Sequence, residues 1–375
     1  MPYRNRILLV AVAVLSLCGP FSWAPPASSF ELHGFGDVQY YQFLNSDDAN
    51  EHGAFSLGQL DLYVAESIGS RLDVLTEVAI ESPDGAEFVV DLERIQIGYV
   101  FSDALKLSAG RFHTSLGYWN TAYHHGAFLH TTIERPLFVR FEDDGGILPV
   151  HSVGLLASGR TFGKAGELSY AVQLANGSSI ALDLGDPSTG ADPTDDRAAL
   201  TPNNTSDPNH NKALALHAEF APAQLPAWAL GASLYQSRVV GEGLPAPTPV
   251  DLTQTILGAD LTKRTGAFEL VAEYYLLRHR DHLGTQGTTT DHLYYVQAEY
   301  EIGEWLTPYG RHEQMSLDER DPYVTALGSA DTRLETLGFR VRVGEQSVVK
   351  IEGRFVDTDG TDHHQEYAAQ WAFTF

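Results

Sequence analysis

The feature that most constrains this chain is a succession of about sixteen segments whose polar and apolar residues alternate with a period of two. Leu72, Val74, Thr76, Val78 and Ile80 fall on one side of such a segment, with Arg71, Asp73, Glu77 and Glu81 on the other. Trp228, Leu230, Ala232 and Leu234 form a second apolar stripe. Leu337, Phe339, Val341 and Val343 form a third, opposite Arg340 and Arg342. Side chains of an extended strand point alternately to its two faces, so each segment is a strand with one apolar and one polar face. The segments are 30–44, 55–65, 71–81, 88–101, 105–113, 147–158, 166–176, 212–220, 227–238, 251–263, 267–278, 292–302, 306–315, 332–343, 347–356 and 365–375. Strands of soluble domains average about 5–6 residues, whereas one that crosses a bilayer needs about 9–11. Alternation alone does not discriminate, because a soluble sandwich shows it with the apolar face inward.

The connections separate the two cases. Short links such as 102–104, 264–266, 303–305 and 344–346 alternate with long ones such as 45–54, 114–146, 177–211 and 316–331; 82–87 is the short exception. Tight turns at one end and long loops at the other are the layout of a transmembrane antiparallel β-barrel with periplasmic turns and external loops. An even strand number, near sixteen, then puts both chain ends on the short-turn side. The stretch 185–211, rich in Pro, Asp, Asn and Ser, reads as a surface loop.

The start of the chain agrees with export. Arg4 and Arg6 precede the apolar run 7–17 and then small residues and prolines, the pattern of a cleaved signal peptide over 1–29. That run is too short for a spanning helix, which needs about 20 residues. The net charge is −25, which argues against nucleic acid as a partner.

The last segment places Tyr367, Ala369, Trp371, Phe373 and the terminal Phe375 on one face. It resembles the closing strand of bacterial outer-membrane proteins, and with the signal peptide and strand number the whole pattern resembles the bacterial outer-membrane porin superfamily. Residues 32–40, Leu-His-Gly-Phe-Gly-Asp-Val-Gln-Tyr, and 107–112, Leu-Ser-Ala-Gly-Arg-Phe, are similar to segments of phosphate-selective (O/P-type) porins. The resemblance implies a Gram-negative outer-membrane channel for passive diffusion of small polar solutes or ions, seated in outer-membrane lipid, with a homotrimer as the common assembly. Phosphate specificity is not carried over, because anion-selective members carry lumen lysines and arginines in quantity and this chain is acidic.

A pore needs a wet lumen and a constriction, and the candidate is 114–146, a long loop folding inward. Tyr118, Trp119, Tyr123 and Phe128 are expected to anchor it. Glu134, Glu142, Asp143 and Asp144 are expected to face Arg135, Arg140 or the wall residues Arg71, Arg94 and Arg111, giving opposed charges across the gap. These are the pore-lining candidates. Histidines in the same stretch raise a metal site, with His124, His125 and His130 the nearest candidates. However, adjacent His124 and His125 cannot share a strand face, and no H-E-x-x-H or C-x-x-C spacing occurs. No metal, cofactor or catalytic set is therefore expected; His151 and Ser152 point to opposite faces of one strand. The other reading is a non-conducting barrel that binds a ligand or partner through its external loops.

Overall fold

A strand whose outer face meets hydrocarbon cannot leave its backbone edge unpaired, and the wall strands of this chain leave none. The computed structural model describes residues 32–44, 53–81, 88–123, 126–142, 144–182, 198–201, 205, 207, 210–242, 249–360 and 363–375. The expected signal peptide, His124, His125 and Asp143 lie outside the described residues.

Sixteen antiparallel strands form the wall: β1 (His33–Leu44), β2 (Ala54–Ile68), β3 (Leu72–Glu81), β4 (Val89–Ser102), β5 (Leu105–His113), β6 (His151–Gly163), β7 (Gly166–Asn176), β10 (Lys212–Pro222), β11 (Trp228–Glu242), β12 (Asp251–Thr265), β13 (Phe268–Asp281), β14 (Thr288–Tyr300), β15 (Leu306–Ser316), β16 (Thr332–Gly344), β17 (Ser347–Thr358) and β18 (His364–Thr374). Each pairs with its sequence neighbours in the wall. β1 closes the barrel on β18, in register from Phe35 opposite Thr374 to Leu44 opposite Gln365. All sixteen segments read from the sequence are wall strands, displaced by a few residues at their ends.

Two stretches differ from the sequence reading. The segment expected from 147 begins only at His151, because Ile147, Leu148 and Val150 are buried in the lumen as part of the preceding loop. Pro149, which has no N–H to give a ladder, sits among them. The stretch expected as a featureless loop, 177–211, contains a small hairpin, β8 (Ser179–Leu182) and β9 (Ala198–Leu200). β8 runs parallel to the outer end of β11, with Ser179 opposite Val240. Ile180 on β8 and Leu200 on β9 are buried, which gives an otherwise polar loop an apolar anchor.

The distribution of polarity is inverted relative to a soluble protein. Outward-facing side chains include Leu57, Leu92, Ile95, Ile97, Leu155, Leu257, Leu337 and Ile351, all exposed. Glu77, Glu93, Arg94, Arg111, Glu273, Arg311, Glu313, Lys350, Glu352 and Arg354 are buried on the inner face. Exposed Phe101, Phe162, Trp305 and Trp371 stand beside the short turns, and Phe55 and Phe88 stand near the long-loop end. Aromatic girdles around an apolar band are what the two interfaces of a bilayer favour. Glu93 and Arg94 are neighbours yet both point inward. The ladder jumps there, from Glu77 opposite Arg94 to Val78 opposite Leu92, so Glu93 is the extra residue of a bulge.

Candidate functional site

Inside the barrel lies the long connection between β5 and β6. It leaves the wall at Thr114, whose N–H donates to the Val150 carbonyl at 2.7 Å and closes the loop's neck. A six-residue helix, Gly117–Ala122, follows. A Cβ on Gly117, which has φ +66°, would lie 1.8 Å from the Tyr275 hydroxyl and 2.2 Å from Glu273 Oε2. Only glycine fits that contact and that dihedral together.

A loop crossing a lumen must find partners for its backbone groups, and here the wall's buried polar side chains supply many of them. The Gly117 N–H donates to Ser233 Oγ at 2.9 Å, and the Trp119 N–H donates to Glu273 Oε1 at 2.5 Å. Further along, the Ile133 N–H donates to Glu352 Oε1 and the Leu137 N–H to Glu313 Oε2, both at 2.6 Å. Lys350 Nζ donates to the Thr132 carbonyl at 2.8 Å and also to that of Ala127. Arg311 donates to Thr132 Oγ1 at 3.0 Å and to the Arg135 carbonyl at 3.2 Å. Apolar contacts do the rest. Leu116, Trp119, Phe138, Val139, Ile147 and Leu148 pack with Tyr235, Ile256, Tyr275, Leu277, Leu293 and Tyr295 in one buried cluster. The loop therefore fills the lumen against the β11–β15 side.

What stays open faces β1–β3, β17 and β18. The cavity there has a volume of about 560 Å³. Its wall side carries Asp37, Gln39, Tyr41, Phe43, Gln59, Glu81, Arg354, Glu366 and Gln370; its loop side carries His130, Ile133, Glu134, Arg135, Arg140, Phe141 and Asp144. Five carboxylates and three guanidiniums line it. Tyr41 donates its hydroxyl to Glu134 Oε1 at 2.5 Å, and Arg354 NH2 stands 3.8 Å from the same oxygen. Arg354 also donates to Glu352 at 2.9 Å and Glu366 at 3.1 Å, so its charge is largely taken up by carboxylates. Burial works to raise the Glu134 carboxyl, but Arg354 and Arg140 outweigh it and hold the group below the usual carboxylate range. Asp37 accepts from Gln39 at 2.6 Å and Gln370 at 3.0 Å. It also fills the space above Gly58, where a Cβ would lie 2.0 Å from its carboxylate.

The expected site residues divide into groups. Glu134, Arg135, Arg140 and Asp144 lie together on the cavity's loop side. Tyr118 and Trp119 sit in the packed half: Tyr118 accepts from Arg264, and Trp119 is fully buried between Tyr123 and Tyr295. Glu142 faces the neck, not the cavity. It accepts the Val150 and His151 N–H groups at 2.7 and 2.8 Å and the His151 ring at 2.9 Å. Arg94 pairs with Glu77 within the wall, and Arg111 Nε donates to the Glu93 carbonyl at 2.9 Å; neither lines the cavity. Arg71 is a correction. It lies in the turn between β2 and β3, exposed, with its guanidinium 5.9 Å over the Tyr99 ring. Strand parity cannot be extended through a turn, so the inward face predicted from β3 does not reach it. His130, the described one of the three histidines raised as metal candidates, bonds the Thr132 carbonyl at 2.8 Å through its ring. Burial, with Lys350 nearby, holds the imidazole well below the usual histidine range. Sequence reasoning missed Asp37, Tyr41, Glu81, Arg354 and Glu366, though each is an ordinary alternate residue of its strand.

No protein-family model and no curated protein matches this chain. Its fold, however, is similar to that of solved outer-membrane proteins. An anion-selective porin from Comamonas acidovorans superposes with a TM-score of 0.61 at 12% identity, over 92% of this chain and 99% of that one. The trimer form of OmpT, an outer-membrane protein of Vibrio cholerae, gives 0.59 at 11% identity, over 92% and 99%. The outer-membrane channel DcaP of Acinetobacter baumannii gives 0.55 at 10% identity, over 92% and 96%. At these identities the likeness is one of architecture, that of a closed sixteen-stranded antiparallel barrel.

Proposed function

We propose that the protein is an outer-membrane porin that passes small polar solutes or ions by passive diffusion, with the loop 114–146 as its constriction. The observation that carries this reading is the unequal filling of the lumen: packed against β11–β15, open and charged against β1–β3, β17 and β18. A transverse set of fixed charges with more carboxylates than guanidiniums favours cations and neutral solutes over anions. The proposed selectivity is thus opposite to the one in the name of the Comamonas neighbour, and phosphate is not the proposed solute. A homotrimer is the proposed assembly, by likeness to the trimeric Vibrio neighbour.

Reversal potentials in a KCl gradient across a planar bilayer test the selectivity. The expected sign is that of a cation-preferring channel, moving towards neutrality in Glu134→Gln. An anion-selective sign would overturn the selectivity. A folded, heat-modifiable barrel that does not conduct would favour the other reading, a barrel that binds a ligand or partner through its external loops.

A further inference from the structure

At the long-loop end, away from the residues that line the cavity, three potential ligands converge from separate parts of the chain. His279 is on β13, Asp291 is on β14, and Asp321 belongs to the connection between β15 and β16. All three are fully buried, and one donor atom of each lies within 4.8 Å of the others. His279 Nδ1 is 2.6 Å from Asp321 Oδ2 and 3.6 Å from Asp291 Oδ2. The other oxygen of each carboxylate is held by backbone: Asp291 Oδ1 accepts from the Asp318 N–H at 2.7 Å, and Asp321 Oδ1 from the Tyr323 N–H at 2.8 Å. Thr289 adds a hydroxyl 2.6 Å from Asp321 Oδ2.

We propose that His279, Asp291 and Asp321 bind one divalent transition-metal ion, for which zinc is the probe. Two observations beyond the clustering support this. Asp291 Oδ2 is buried, points at the other two donors and makes no hydrogen bond among the described residues. On the far side of the imidazole, Gln254 places its amide nitrogen 2.9 Å from His279 Nε2 while its Oε1 has no partner. Turning that amide end for end lets Oε1 accept from Nε2–H. The Nδ1 lone pair is then directed at the two carboxylates. A ligating histidine is oriented through its second nitrogen in this way. The charges also fit. Two buried carboxylates facing one neutral imidazole are balanced by a doubly positive ion, and one nitrogen with two carboxylate oxygens, leaving a place for Thr289 or water, is a zinc-type donor set. Asp321 also caps the helix Pro322–Ala326, whose Tyr323 hydroxyl donates to the Ile147 carbonyl at 2.6 Å. A bound ion would therefore pin an external connection to the wall and, through Tyr323, to the returning arm of the inserted loop. None of this depends on the barrel conducting.

The test is zinc binding by the full chain, purified in detergent, stripped with a chelator and reloaded. One equivalent retained after gel filtration is expected. Affinity should fall by about 10–100-fold in Gln254→Leu, through loss of the orienting bond, and by more in Asp291→Asn, which keeps the shape and the Asp318 contact. No retained zinc, or undiminished binding in both variants, would overturn the site; the first result would make His279 simply the cation that bridges two carboxylates. Zinc-edge absorption of the wild-type protein keeps the test open if the variants fail to fold. A first shell of one imidazole and two carboxylates supports the site, and a shell of several imidazoles or of oxygens alone contradicts it.

Discussion

Trp119 concentrates the energetics of the inserted loop in one side chain. It is fully buried, its ring meets Tyr123 and Tyr295, and the Arg311 guanidinium lies 5.7 Å from its centroid. Trp119→Ala should cost about 3–5 kcal/mol, seen as a lower thermal midpoint for loss of the heat-modifiable form and as noisier single-channel currents. An unchanged midpoint would mean that the loop is not held by this packing. His130 gives a pH dependence whose sign follows from its environment. In the unfolded chain its imidazole takes a proton near 6.5, whereas in the fold it stays neutral well below that value. The unfolded state then binds more protons as pH falls from 7 towards 5, so stability drops across that window by at most about 1.4 kcal/mol per pH unit. His130→Gln should flatten the dependence in a thermal melt series. At this scale the sequence was legible where charge clustered in one loop, as with Glu134, Arg135, Arg140 and Asp144. It was not legible for Asp37 and Arg354, because an alternate polar residue on a strand looks the same whether it lines a cavity or lies beneath a loop. Nor could it join His279 to Asp321, which meet only through the packing of a distant connection on the wall.

Strands were the easiest elements to read, since a period of two survives any uncertainty about their ends. Alternation alone left open which face is inward; in the structure Leu230, Leu337, Phe339 and Val343 of the apolar stripes are exposed on the outer face, as a wet interior requires. What alternation cannot carry is a bulge or a turn: nothing in it marks that neighbouring Glu93 and Arg94 both point inward, and Arg71, placed in a turn, is exposed. The loops were legible as long, not as structured, because their anchors are single residues such as Ile180 and Tyr323. Gly117 is the element-level hinge of the account. Gly117→Ala puts a Cβ against Tyr275 and Glu273 and forces a residue with a side chain to φ +66°. The helix it opens should then fail to seat, giving a folded barrel of larger, less stable conductance. Wild-type conductance in that variant would show that the helix does not govern the passage.

As a whole the molecule sorts its polar groups inward and its apolar groups outward, and uses buried charges on β13, β15 and β17 as hydrogen-bonding partners for a loop. That division of labour explains why so many charges can sit inside without being pore charges. Glu273, Glu313, Glu352, Lys350 and Arg311 are spent on the loop's backbone and ring contacts. The groups left facing the cavity are the ones proposed to set selectivity. The central claim is that this loop narrows an otherwise wide barrel. Single-channel conductance in planar bilayers, compared between the wild-type chain and one lacking 118–126, tests it most directly. The shortened chain should give larger current steps from a barrel that remains heat-modifiable; steps of unchanged size from an intact barrel would contradict the claim.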